Sequence, residues 1–235
     1  MRAKLDLNDL CPDSDGNYPD VTPKDNSASS ADGSVRVYFR NLTDHLKEHI
    51  AESDAVFGCI AWLTHFDILD ALASRQTAII VQKEDFLRPD LGAKSNWKNQ
   101  LRAKYRAMGC DLMRFAFDNM MGSLSTCSDP SIEPVRCVGN FNREKAPAFP
   151  RMHNKFLVFA RIADQDQASV PVPYAVWTGS FNLTANAAAS LENALYITHP
   201  EIVRAYFEEF GQIMALSEPL DWESDWSAPD LRIGT

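Results

Sequence analysis

From Val35 onward the chain alternates between two apolar rhythms. In some short stretches every position is apolar, the pattern of strands. Between them apolar residues recur at three- and four-residue intervals, the pattern of helices with one buried stripe. Val35–Phe39 reads as a strand. A helix starts within Asn41-Leu42-Thr43-Asp44 and carries Leu42, Leu46 and Ile50 on one face. Ala55–Leu63 is a continuous apolar run, as in a strand covered on both faces. Thr64 is placed to cap a helix bearing Phe66, Leu69, Leu72 and Ala73, and Thr77–Gln82 reads as a second buried strand. Lys94–Met108 predicts a basic helix and Leu112–Phe117 a strand. Residues 118–134 predict a loop, Val135–Val138 a short strand, and Gly139–Pro150 another loop. Asn154–Ala160 and Val172–Thr178 read as a strand pair, Leu183–Leu191 as a helix and Ala194–Thr198 as a strand. A long helix opens at Pro200-Glu201, with Ile202, Val203, Tyr206, Phe207, Phe210, Ile213 and Met214 as its stripe. The alternation predicts an α/β fold, a mixed β-sheet flanked by helices on both faces.

The two ends lack these rhythms. Residues 1–33 are rich in Asp, Asn, Ser, Gly and Pro and read as a flexible acidic arm; 34–216 form one folded domain; 217–235 form an acidic tail carrying Trp222 and Trp226. A length of 235 residues with 45% apolar and 23% charged content is that of an ordinary globular protein with a sizeable core. The first residues, Met1-Arg2-Ala3-Lys4-Leu5-Asp6, hold no apolar targeting segment, and no run approaches the ~20 apolar residues of a membrane span. Cys11, Cys59, Cys110, Cys127 and Cys137 are scattered, odd in number and outside CxxC pairs. They read as reduced thiols, with Cys59 in the core. A zinc site of Cys110, Cys127 and Cys137 lacks ligand spacing. These features predict a cytoplasmic chain with no membrane contact.

A net charge of −9 argues at first against a polyanionic substrate, but the charge is unevenly spread. Both ends are acidic. The segment 75–114 carries nine bases, Lys94, Lys98 and Arg102 among them, against four acids. Trp97 and Tyr105 are interleaved with the bases of the predicted helix. That helix is either a solvated charged face or a surface that tracks phosphates and stacks bases.

The chemistry concentrates in Met152-His153-Asn154-Lys155, then Thr178-Gly179-Ser180-Phe181-Asn182, then Glu192. On a strand, residues i and i+2 share a face, so His153 and Lys155 project together. If 172–178 pairs antiparallel with 154–160, Gly179 and Ser180 return beside His153. Gly179 permits close backbone approach, and Ser180 and Asn182 fall just before the predicted helix, whose free N–H groups favour an anion. An imidazole, an ammonium, a hydroxyl and an amide in one place suit a phosphate that gains negative charge.

This pattern resembles the phospholipase D superfamily, specifically its single-copy nuclease-like members, over roughly 35–216. The resemblance implies that His153 is a nucleophile forming a phosphohistidine, that Lys155, Ser180 and Asn182 bind the phosphate, and that Glu192 polarises the imidazole. It implies no metal and no other cofactor. Two positions depart from the family pattern. An Asp five residues after the lysine is replaced by Ala160, and the lysine-to-glycine interval is about twelve residues longer than usual. At strand spacing Ala160 falls about 20 Å from His153, so that position reads as structural and 161–173 as a remote loop.

The family uses a second histidine as general acid. His45-Leu46-Lys47 is a decoy, because residues two apart on a helix point about 200° apart. Gly122-Ser123-Leu124-Ser125 imitates the turn without its Asn. The second histidine is therefore expected from a second chain in a twofold homodimer. His49, His65 and His199 read as ordinary core or surface residues, with His65 also placed to line a cleft. Three functions fit: a metal-independent endonuclease on DNA or RNA with Gly179, Lys94, Lys98 and Arg102 as further substrate contacts, a phospholipid-hydrolysing or phosphatidyl-transferring enzyme, or a non-catalytic nucleic-acid-binding module.

Overall fold

A computed structural model describes residues 10–12, 14–16, 23–83, 96–110, 114–118, 121–125, 133–142, 146–148, 151–165 and 168–220. The elements are β1 (Ala28–Ser29), β2 (Val35–Tyr38), α1 (Leu42–Glu52), β3 (Ala55–Ile60), α2 (Phe66–Ala73), β4 (Gln76–Gln82) and α3 (Asn96–Arg106). There follow β5 (Arg114–Asp118), β6 (Met121–Ser125), β7 (Val135–Val138), β8 (Asn140–Asn142), β9 (Ala146–Ala148), β10 (Lys155–Gln165) and β11 (Ala168–Gly179). The last are α4 (Ala185–Ala188), β12 (Ala194–Ile197), α5 (Pro200–Ala215) and β13 (Glu218–Pro219).

Nine strands form one mixed sheet in the order β1-β2-β12-β11-β10-β3-β4-β7-β13. β3, β4 and β7 run parallel and the remaining neighbours antiparallel. The alternation of side chains divides the core in two. Val56, Ile79, Val81, Leu157, Phe159 and Trp177 face one side, where Leu42, Leu46 and Ile50 of α1, Ile68, Leu69 and Leu72 of α2 and Leu101 of α3 cover them. Phe57, Ile80, Phe156, Val158 and Val176 face the other, under Val203, Phe210 and Met214 of α5. Each fully buried side chain of this kind contributes about 1.5–3 kcal/mol. The predicted fold class is thus the observed one.

The chain departs from the sequence expectations in several places. β3 ends at Ile60 rather than Leu63, because the Ala61 N–H turns to the carbonyl of Asn154 at 2.9 Å. The loop expected over 118–134 contains β6, with Gly122–Ser125 lying in a strand rather than a turn, and the loop expected over 139–150 contains β8 and β9. The loop expected over 161–173 is instead strand. β10 and β11 continue their ladder to Gln165 and Ala168, with a bulge between Phe159 and Ala160. The last residues of the expected arm are tied to the sheet, as β1 pairs with β2 and Arg40 Nε donates to the Pro23 carbonyl at 3.2 Å.

At the opposite edge β13 pairs with β7, and Glu218 makes a buried ion pair with Lys83 at the end of β4. Cys137 lies against Glu218 at 3.9 Å, and burial pushes its thiol up to about 12. Cys59 is fully buried and shifted the same way, also by burial. Among the described residues no cluster of His, Cys, Asp or Glu has metal-binding geometry. No helix among them is long and apolar enough to cross a membrane.

Candidate active site

The site forms where β3 ends, β10 begins, β11 ends and β12 begins, at the carboxyl end of the parallel strands. β3 pairs with β10 so that Lys155 lies opposite Ile60, and β10 pairs with β11 so that Phe156 lies opposite Thr178. That register returns Gly179 and Ser180 beside the start of β10. The loop after β3 stitches both segments together. Ala61 N–H donates to Asn154, the Leu183 N–H donates to the Trp62 carbonyl at 3.1 Å, and the Thr64 and His65 N–H groups both donate to the Leu183 carbonyl.

Lys155 lies on the α1–α3 face with Leu157 and Phe159, and its Nζ is 3.3 Å from His153 Nδ1 and 3.2 Å from the His153 carbonyl. Burial pulls the Lys155 ammonium below its ordinary value of 10.5, and the Glu192 carboxylate opposes that shift. The Trp62 ring meets the His153 ring edge-to-face, with centroids 5.7 Å apart at 87°.

The Ser180 hydroxyl donates to Glu192, and the Asn193 N–H donates to the Ser180 oxygen at 3.1 Å. The Ser180 N–H in turn donates to the Asn193 carbonyl. Gly179 is required here. Its φ is +153°, and a Cβ would overlap the Asn193 carbonyl oxygen and stand 2.9 Å from Ala194 Cα. Asn182 Oδ1 is buried and makes no hydrogen bond to the described residues. A cavity of about 570 Å³ opens beside it, walled by Trp62, Thr64, Trp97, Asn182, Ser190 and Glu192 among others.

The predicted helix over 183–191 shrinks to the single turn of α4, whose first turn is capped by the Thr184 hydroxyl accepting from Ala187 N–H at 3.1 Å. It is too short to supply the anion-binding N-terminus expected from the sequence. Of the basic helix, Lys94 lies outside the described residues, Lys98 is buried and Arg102 half-buried, while Lys104 pairs with Asp70 at 2.5 Å. Tyr105 is also buried, donating to the Leu63 carbonyl at 2.6 Å, whereas Trp97 is 43% exposed.

Over 208 residues the chain is 37% identical to an uncharacterized protein, L381, of Acanthamoeba polyphaga mimivirus, a match that covers 83% of this chain and 70% of that protein. The chain belongs to the L381 family. No protein-family model matches it. Among solved structures it is similar to Nuc of Salmonella typhimurium, a phospholipase D family member, with a TM-score of 0.47 and 16% identity over 79% of this chain and 96% of that one. It is also similar to NucT of Helicobacter pylori, with a TM-score of 0.49 and 13% identity over 79% and 98% of the two chains.

In this member of the L381 family the structure brings together His153, Lys155, Gly179, Ser180, Asn182 and Glu192 from three separate strand ends. Ala160 lies opposite Ala55 at the far end of β3, about 17 Å along the strand from Lys155, and is fully buried. His45 sits on α1, pairs with Glu48 at 3.3 Å and packs on the Tyr38 ring. His49 stacks on Tyr196 at 3.8 Å, and His199 precedes α5 without a side-chain capping bond. Thr64, rather than His65, is on the cavity wall. Two residues of the site are absent from the sequence reading, Trp62 and Asn193. Trp62 could be found from its place just past a buried parallel strand, where α/β sites form. Asn193 carries no such signal.

Proposed function

We propose that the chain is a metal-independent phosphodiesterase that cleaves nucleic acid through a covalent phosphohistidine at His153, in a site shared by two chains. The observation that carries this reading is the Lys155 ammonium held 3.3 Å from His153 Nδ1 at the mouth of the Gly179-Ser180 turn. With Lys155 donating to Nδ1, the ring proton rests on Nε2. An incoming phosphate draws the ammonium onto its own oxygens and frees the imidazole to change tautomer.

Nε2 then attacks phosphorus, and the bond to the leaving oxygen breaks. That oxygen takes a proton from the imidazolium of His153 of a second copy. Water next attacks the phosphohistidine, gives its proton to the same imidazole, and the P–N bond breaks. Lys155 and Asn182 hold the equatorial oxygens, the Ser180 hydroxyl turns its proton from Glu192 to a third oxygen as the phosphate enters, and Glu192 keeps Lys155 charged. Nucleic acid is favoured over phospholipid by the hydrogen-bonding side chains of Thr64, Asn182, Asn186 and Ser190 in the cavity wall.

The test is incubation with single-stranded DNA, double-stranded DNA, RNA and phospholipid vesicles, each with and without EDTA. Protein quenched in alkaline denaturant is examined by mass spectrometry for an alkali-stable, acid-labile adduct on His153. Cleavage of nucleic acid that survives EDTA, with the adduct, is the expected result. Strict metal dependence, or full turnover by His153→Ala, overturns the reading.

A further inference from the structure

The cavity beside the reacting groups has a composition that phosphate chemistry does not use. Its described walls are two tryptophans, Trp62 at 37% and Trp97 at 43% exposure, two alanines, Ala185 and Ala187, uncharged hydrogen-bonding side chains, and Glu192. Among the described residues of the wall there is neither lysine nor arginine. Half-exposed indoles are costly to leave in water, and their flat faces suit a flat, neutral, polar-edged ligand. Asn182 on the same wall supplies an amide for hydrogen bonding to that ligand's edge.

Position narrows the ligand further. Trp62 contacts the His153 ring with one part of its indole and lines the cavity as well. Whatever occupies the cavity is therefore one side chain away from a phosphate at His153. An acyl chain has no edge to satisfy Asn182, Thr64 or Asn186, whereas a nucleobase has both faces and edges to offer.

We propose that this cavity is a subsite for one unpaired nucleobase, stacked on Trp62 and Trp97, and that it makes single-stranded nucleic acid the substrate. This rests on the phosphodiesterase reading above. Inside a duplex both base faces are covered and the edge is paired, so a duplex must be opened before the subsite fills.

The experiment uses the full chain and three probes of equal length: a single-stranded oligonucleotide, the same strand with abasic residues throughout, and the duplex. Binding is read by anisotropy of a labelled strand and turnover by KM and kcat. The wild type is expected to prefer the base-bearing strand over the abasic one by roughly ten- to a hundredfold, the range of one base–aromatic stack. Trp97→Ala should bring that ratio towards unity, and Trp97→Phe, which keeps a ring, should restore most of it.

Equal affinity of the wild type for base-bearing and abasic strands overturns the subsite, and needs no variant to fold. So does equal affinity for the duplex, or binding of phosphatidylglycerol vesicles that Trp97→Ala abolishes. Because binding is read without turnover, a chain that prefers bases but cleaves nothing removes the phosphodiesterase reading and leaves the subsite. A chain that cleaves every probe with one KM does the reverse.

Discussion

The Ser180 hydroxyl gives its proton to the carboxylate of Glu192 across the turn between β11 and β12. The same oxygen lies 2.9 Å from Asn193 Oδ1, but a hydroxyl has one proton, and the charged acceptor makes the stronger bond. Ser180 is thus held as an acceptor towards Asn193 N–H, with its proton directed at Glu192 until a phosphate oxygen accepts it. Ser180→Ala removes that hydroxyl alone. Glu192→Gln removes the charge that also favours the ammonium of Lys155. The second variant is expected to lose more kcat/KM, by about 10²-fold, with the first losing less. Steady-state kinetics on one oligonucleotide decide it, and equal losses would mean that Glu192 acts through Ser180 only.

The pH dependence follows from Lys155. Burial lowers its pKa below 10.5, and Glu192 opposes the shift. The phosphate-binding form is the protonated one, so activity falls as pH rises through a value below 10.5. Glu192→Gln takes away the opposing charge and moves this alkaline limb to lower pH. Lys155→Arg, charged at every accessible pH, moves it to higher pH in whatever activity remains. A kcat/KM profile on the alkaline side measures all three, and a limb that ignores both substitutions would belong to another group.

Gly179 links the stability of the fold to the geometry of the site. Alanine there meets a left-handed φ and the Asn193 backbone together, at a cost of about 1–3 kcal/mol. Gly33→Ala is the matched control. Its φ is +73° but nothing lies within 4 Å of the added carbon, so only the backbone strain remains. The urea midpoint should fall further for Gly179→Ala, and kcat/KM should fall only there, because Ser180 moves with the displaced turn.

How much of this was legible in the chain differs by element. The period of two predicted that His153 and Lys155 share a face, and the antiparallel hairpin predicted the return of Gly179. The far half of that hairpin reads as loop on the length of the lysine-to-glycine interval, yet it is strand and holds Pro171 and Pro173. They are tolerated because β12 pairs with β11 only from Val176 to Gly179, leaving the proline segment unpaired on that side. Trp62 was hidden by an apolar run that looks like strand to Leu63. What stops the strand is a set of backbone bonds to Asn154 and Leu183, over ninety residues away. The same bonds use the Leu183 backbone and so shorten the helix that its sequence favours.

The Lys83–Glu218 pair fixes the end of the described chain to the sheet. Both side chains are about 10% exposed, so removing one partner leaves a buried charge. Glu218→Leu is expected to cost about 3–5 kcal/mol, while the double replacement Lys83→Met with Glu218→Leu should recover most of that. Urea unfolding of the two singles and the double measures the coupling. Additive losses would show that the pair contributes nothing beyond its packing.

The proposed mechanism needs two histidines, and the motif supplies one, His153. His45, the decoy, is occupied with Glu48 of α1 and Tyr38 of β2. A second His153 from another copy would make each active centre depend on both chains. Wild type refolded together with excess His153→Ala should then lose activity faster than its own dilution, because mixed dimers lack either the nucleophile or the acid. If chains work alone, activity follows the wild-type fraction linearly. Activity plotted against mixing ratio separates the two, with sedimentation on the same samples showing that subunits have exchanged. A linear plot in exchanged dimers would remove the shared site and require the general acid to come from within the chain.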